Sequence, residues 1–303
     1  MKRMGFLGPL GTHSEAAALY LNGLLDEPRE IRAFPAIFQA LSAVEEGQAE
    51  SALVPVENSL EGSVNITLDT LAHSDVFSLT LELIWGVRNE LMAKYPKARI
   101  RRVISHAQPL SQCRSYLKAH CPEAQLVAVS STAEAARQVA KSRPEDGAAA
   151  ICTARAGEIY GLLTVDEDIQ DTLTNCTRFF LVEREGECPP QLRFLEAHAP
   201  VPQKILVICQ IDGKRAGSLC EVLQEFASRS VNMVRIESRP ARTELGVYIF
   251  FFEIEAVERA SLAAAIEAVR EKSIWLRTLG PFPVLTAANV RAPGAAVRDA
   301  PAG

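Results

Sequence analysis

The stretch TNCTRFF, residues 174–180, places two threonine hydroxyls, an asparagine amide and an arginine together at the mouth of an apolar run. It contains no histidine, no carboxylate and no pair of metal ligands. Arg178 is a permanently charged fork that suits a carboxylate. Thr174, Asn175 and Thr177 add neutral donors. Such a set can hold and polarise an acidic ligand. An ordinary polar turn feeding a strand has the same composition, and both readings stand on these residues alone.

Three further stretches repeat the design of small polar residues at the end of a β-rich run. GPLGTHSEA (8–16) opens a helix, but its spacing fits neither a P-loop nor a dinucleotide fingerprint, and Pro9 removes an amide donor. Thr12 and Glu15 match a capping box, while exposed amides at a helix N-terminus also favour an anion. VPVENSLEGSV (54–64) offers Glu57, Asn58 and Ser59 at a turn, with Ser63 as a helix cap in the plainer account. ISHAQPLSQC (104–113) brings Ser105, His106 and Gln108 ahead of a helix starting at Pro109. Later in the chain, AGSLCEVL (216–223) reads as a helix start, with Gly217 for backbone room and Ser218 for a cap. VNMVRIESRP (231–240) reads as a strand after a turn at Asn232.

These stretches need elements to hold them. Strands at 4–7, 51–54, 77–87, 102–105, 125–129 and 147–152 alternate with helices at 13–25, 36–47, 109–120 and 131–142. That alternation predicts α/β layers on a mostly parallel sheet over residues 1–184. The Pro-rich, charged residues 185–203 read as a linker. From 204 to 285 the order is βαββαβ, a ferredoxin-like α+β unit, and the Ala- and Pro-rich residues 286–303 read as a disordered tail.

At 303 residues, 48% hydrophobic and 23% charged, the chain suits two globular domains. A net charge of −5 without a basic block argues against a nucleic-acid partner. No window approaches the roughly 18 apolar residues of a membrane span, and no secretory leader is read, so a cytoplasmic location is expected. Seven cysteines without C-x-x-C and five histidines without H-x-x-x-H predict reduced thiols, no metal and no cofactor.

Taken in order, GPLGTHSEA, VPVENSLEGSV, SHAQPLSQC, TNCTRF and ESRP resemble the prephenate dehydratase family with its C-terminal ACT regulatory domain, over about residues 4 to 285. The resemblance implies a two-lobed catalytic domain of the type II periplasmic-binding-protein kind, with its site in the cleft. It also implies decarboxylating dehydration of prephenate to phenylpyruvate, water and carbon dioxide in phenylalanine biosynthesis. Catalysis falls to Thr177, Arg178, Asn58 and Ser59, and substrate contacts to Thr12, Glu57, Ser105, His106, Gln108, Thr174, Asn175 and Phe179. In the ACT domain, Gly217, Ser218, Leu219, Asn232 and Met233 would form a phenylalanine pocket at a subunit interface. Glu237, Ser238, Arg239 and Pro240 would couple that pocket to the rest, in a homodimer or homotetramer paired through these domains. The family usually carries Phe where this chain has His13.

Prephenate brings two carboxylates and a ring hydroxyl that must leave as the ring carboxylate is lost. Aromatisation drives the step, so placed donors serve it without a metal or covalent nucleophile. Threonine is an extremely weak acid, so Thr177 reads as a hydrogen-bond donor to the leaving hydroxyl. Arogenate dehydration, or a dual cyclohexadienyl dehydratase activity, fits the same residues. A non-catalytic small-molecule-binding module shares the lobed fold and is the more distant alternative.

Overall fold

The computed structural model describes residues 2–186, 203–244, 246–255 and 259–289. The chain opens with β1 (Arg3–Leu7), α1 (His13–Leu24), β2 (Glu30–Phe34), α2 (Ile37–Glu45), β3 (Ser51–Asn58), β4 (Gly62–Ser63), α3 (Asn65–Ala72) and β5 (Phe77–Gly86). Buried on both faces, β1 lies between β2 and β3, parallel to each. The strand expected at 51–54 continues to Asn58, because Pro55 and Val56 are buried too and carry it into the ENS motif. At the start of α1 the Thr12 hydroxyl accepts from the Glu15 amide at 3.3 Å. The Glu15 carboxylate turns back to the Gly11 N–H, one residue before the partner that a capping box uses.

A second lobe follows: β6 (Glu90–Ala93), β7 (Arg102–His106), α4 (Ala107–Gln112), α5 (Arg114–His120), β8 (Gln125–Val129), α6 (Thr132–Ala140), β9 (Ala148–Cys152), α7 (Ala154–Tyr160) and β10 (Leu163–Asp166). Its sheet has the order β10-β6-β9-β7-β8, with only β9, β7 and β8 parallel. The single helix expected over 109–120 is two helices, broken at Cys113 where φ and ψ are −112° and 22°. Pro109 is the third residue of α4 rather than its first, still within the turn whose amides need no helical acceptor.

The chain then returns to the first lobe as β11 (Cys176–Arg184), antiparallel to both β5 and β3. After residues 187–202, where the expected linker falls outside the described residues, come β12 (Gln203–Gln210), α8 (Ser218–Ala227), β13 (Met233–Pro240), β14 (Tyr248–Glu255), α9 (Arg259–Glu271) and β15 (Trp275–Thr286). This is the expected βαββαβ order, with sheet order β13-β14-β12-β15.

The C-terminal unit is not a separate bead. β15 outruns its expected end at Leu279, and its last residues, Val284–Thr286, pair in parallel with β5. One 10-stranded sheet results. The tail expected to be disordered from 286 begins as packed structure: Ala287 is buried, and the Asn289 side chain brackets Gly86, accepting from its N–H at 3.1 Å and donating to its carbonyl at 2.9 Å. Residues 290–303 lie outside the described residues. A single core containing Phe77, Phe180, Leu206, Phe251 and Phe282 spans the first lobe and the C-terminal unit. Each such aromatic contributes about 1.5–3 kcal/mol by leaving water. No described helix is long and apolar enough to cross a membrane.

Candidate active site

The chain crosses between the lobes twice, after β5 and before β11. The crossings are tied: Val87 N donates to Asn175 O at 2.8 Å, Ile169 N to Asn89 O at 3.0 Å, and Asn89 N to Gln170 Oε1 at 2.8 Å. Nearby, the lobes also meet through the turn before α1. There Thr153, the cap of α7, donates to Gly11 O at 2.9 Å, and Arg155 reaches Glu15 Oε1 at 3.3 Å. Gly11 has φ +83°, and a Cβ on it would lie 3.1 Å from that of Ala156, so both conformation and clearance require glycine.

At this crossing the ENS and TNCTRF motifs come together. Thr177 faces Asn58 across the β11–β3 ladder. The Asn58 Nδ2 donates to Thr177 Oγ1 at 3.0 Å and to Asn175 Oδ1 at 3.0 Å, while its Oδ1 accepts from the amides of Leu60 and Glu61. Ser59 Oγ donates to Asn175 Oδ1 at 3.2 Å and accepts from Cys176 N at 3.0 Å. Cys176 thus enters this network through its backbone. The Thr177 oxygen is used as an acceptor, and its proton has no acceptor among the described residues. Thr174 is exposed beside the cluster.

Around the same crossing, buried polar atoms carry no hydrogen-bond partner within the described protein: His13 Nε2, Trp85 Nε1, both side-chain atoms of Asn89, and Asn175 Nδ2. Trp85 pairs with Thr177 in the β5–β11 register. His13 and Asn89 lie side by side without an aligned hydrogen bond; burial, opposed by the Asn89 side chain and helped by a smaller push from the Arg88 charge, lowers the imidazole pKa to about 4. Unmatched buried groups cost about 1–3 kcal/mol each, so natural folds seldom gather them. Trp85 and Asn89 escaped the sequence reading, because neither stands in a polar motif.

Several expected site residues do other work. Ser105 is fully buried, and its hydroxyl donates to Ile151 O at 2.7 Å, which joins β7 to β9. Phe179, two residues further in on the Thr177 face, packs in the core with Met4, Phe6 and Leu53. His106 caps α4, its Nδ1 accepting from Gln108 N at 3.4 Å, and both side chains are partly exposed. Thr12 is bound up in capping α1, its hydroxyl donating to Pro9 O at 3.0 Å. Ser63 caps no helix; it lies in β4 and donates to Glu237 Oε2 at 2.7 Å.

Arg178 does not reach out as a carboxylate clamp. Its Nη1 pairs with Glu57 at 2.5 Å, its Nε with Glu82 at 2.6 Å, and its Nη2 with Glu253 of β14. Burial opposes its charge, but Glu82 and Glu253 outweigh burial and raise its pKa. Glu253 is held below the usual carboxylate range by Arg178 and Arg235, again against burial. A carboxylate inside the apolar runs of FSLTLELIWG and YIFFFEIE was the available signal for Glu82 and Glu253, since a buried charge requires a partner.

In the C-terminal unit Gly217, at φ +85°, is the cap position of α8, and Ser218 is its first residue, with its hydroxyl turned inward to Asp212 O and Arg215 O. Leu219 and Met233 pack on the local core; Asn232 donates to Glu255 at 2.9 Å. Within one chain the ten residues of α8, about 15 Å of helix, separate Gly217 from Asn232, so one copy does not bring the two halves together. Glu237 and Arg239 do meet the first lobe, at Ser63 and Asp69 (3.0 Å), while Ser238 and Pro240 are exposed. Among the described residues no three His, Cys, Asp or Glu side chains gather as a metal site.

The fold and site define a two-lobed α/β protein with neutral donors on its crossing strands and a ferredoxin-like unit joined to one lobe. The prephenate dehydratase (PDT) family profile matches residues 4–187. A prephenate dehydratase of Methanocaldococcus jannaschii is 33% identical over 91% of this chain and 96% of its own length. The chain belongs to the prephenate dehydratase family. Among solved structures, a prephenate dehydratase of Arthrobacter aurescens in complex with L-Phe aligns with TM-score 0.79 and 32% identity, covering 93% of this chain and 89% of the other. GqqA, described as a quorum quenching acylase, aligns with TM-score 0.78 over 93% and 98% of the two chains, but at 24% identity it shares the fold alone.

Proposed function

We propose that this prephenate dehydratase acts by hydrogen-bond donation from Thr177 to the departing ring hydroxyl of prephenate. The observation that carries this is the Asn58 amide seated on Thr177 Oγ1. With an acceptor lone pair of the hydroxyl occupied, its proton is left to point outward, and a donor bonded to the oxygen strengthens it as a donor. Asn175 holds Asn58 and is itself held by Ser59, and the unpartnered groups of Trp85, Asn89 and Asn175 offer polar contacts for the rest of the substrate. Arg178 is a positioning residue in this reading. Loss of carbon dioxide supplies the electrons that expel the hydroxyl, and the ring becomes aromatic as it leaves.

The C-terminal unit is an ACT domain that senses phenylalanine in this reading. The L-Phe complex of the Arthrobacter aurescens relative supports a phenylalanine site here. Because Gly217 and Asn232 stand at opposite ends of α8, a second copy would complete the pocket, and the edge strand β13, with Val234 and Ile236 exposed, favours pairing through this unit. The test is phenylpyruvate formation from prephenate, and separately phenylalanine formation from arogenate, with and without added phenylalanine. Turnover of prephenate with the higher kcat/KM, lowered by phenylalanine, is expected. Gly217→Val, at a left-handed φ that a β-branched residue strains to adopt, should raise the phenylalanine concentration needed for half inhibition. Unchanged sensitivity in that variant would remove Gly217 from the pocket.

A further inference from the structure

Thr177 and Asn58 face each other across the β11–β3 ladder, and so do the adjoining residues Arg178 and Glu57. Successive side chains on a strand point to opposite faces. One face of these two rungs therefore carries the hydroxyl and amide, and the other carries charges. Immediately beyond them the register shifts, so that Val56 has no rung of its own and Phe179 pairs with Pro55. A bulge re-aims the side chains next to it; Thr177 and Arg178 keep an unbroken register with Trp85 and Ile84 of β5, so the aim left to side-chain contacts is that of Glu57 and Asn58 on β3.

The charged face meets the C-terminal unit. Arg178 Nη2 donates to Glu253 of β14, and Arg235 of β13 donates to Glu253 Oε1 at 2.9 Å and to Ser63 Oγ at 2.7 Å. Arg235 Nε also lies 3.7 Å from Glu57. Lys204 of β12 closes the group from the other side, 3.0 Å from Glu82 and 3.8 Å from Glu253. Glu82 and Glu253 are buried to within 1% of completely. Charges so buried cannot separate from their partners without large loss, so a displacement of β14 draws Arg178 with it.

Resting on the assignment of Thr177 as donor, we propose that Glu253 and Arg235 of the C-terminal unit are positioning residues for the reaction. They hold Arg178 and Glu57, and through these set the rung that carries Thr177 and Asn58. Neither touches the substrate. Their action runs through the Asn58–Thr177 hydrogen bond, and a shift of β13 and β14 reaches the reacting hydroxyl by this route.

The experiment measures single-turnover rates and KM on prephenate for the full chain, for Glu253→Gln, for Asn58→Ala and for the double variant. Glu253→Gln keeps the shape and removes the charge. Misplacement of a reacting group by about 1 Å costs up to about 100-fold, so Glu253→Gln should slow turnover at least ten-fold while KM stays within about three-fold. Groups that act as one unit are not additive, so in the Asn58→Ala background the same change should cost less than about three-fold. A Glu253→Gln rate within about three-fold of wild type, or a loss carried undiminished into the Asn58→Ala background, would overturn the proposal. Should Glu253→Gln fail to fold, Arg235→Lys, which keeps the charge and loses the fork, is read against the same limits. Wild-type turnover of prephenate tests the assigned activity separately from either ratio.

Discussion

A threonine hydroxyl is a weak acid, and in the proposed reading its neighbours keep Thr177 a donor instead of making it ionise. Asn58 occupies its oxygen, and the strong charges lie on the other side of the strand. His13 follows the same logic, being neutral by burial down to about pH 4. The unfolded chain takes up that proton near pH 6.5, so between these values the unfolded state binds more protons than the fold. Stability should therefore fall as pH drops from about 6.5 to about 4, by roughly 3 kcal/mol from this residue. Urea unfolding of wild type and His13→Phe at pH 7 and 4.5 should show the smaller acid loss in the variant; equal losses would contradict it. Asn58, Ser59, Asn175 and Thr177 were legible as a cluster because their polar motifs coincide with strand ends that the sheet brings together. Arg178 was legible only as a fork. Its partners Glu82 and Glu253 lie far away in sequence, and nothing local says which carboxylates fold onto it. Phe179 was misread because a motif does not say where the mouth of a strand gives way to core.

Among the elements, long and strongly periodic segments were readable, including the whole βαββαβ order. The short strands Glu90–Ala93 and Leu163–Asp166 were not, since four residues are too few to establish alternation. The Pro- and Ala-rich composition after Thr286 hid an ordered segment, because Asn289 is fixed by a tertiary contact and not by any local preference. Removing that contact should be costly. Asn289→Ala leaves the Gly86 N–H and carbonyl without their side-chain partner where β5 turns into the crossing, while the Asn289 carbonyl still accepts from Arg88. A loss of about 1–3 kcal/mol in urea unfolding is expected, and an unchanged midpoint and slope would show that Asn289 contributes no stability.

At the scale of the whole molecule, one sheet runs from the outer strand of the C-terminal unit to the outer strand of the first lobe, with β11 and β3 inside it. The two crossings suspend the second lobe beside Thr177, and the ion cluster ties the same strands to the C-terminal unit. Composition suits two globular domains but does not tell of the sheet they share, which depends on β15 changing partners along its length, from β12 to β5. All three parts thus converge on one hydroxyl. The most direct test is kcat on prephenate, followed as phenylpyruvate, for Thr177→Ala and Thr177→Ser beside wild type. Loss of the donor should lower kcat by about 10²- to 10⁴-fold in the alanine variant, with KM little changed and the serine variant keeping a good part of the rate. An alanine variant with near-normal kcat would contradict the account.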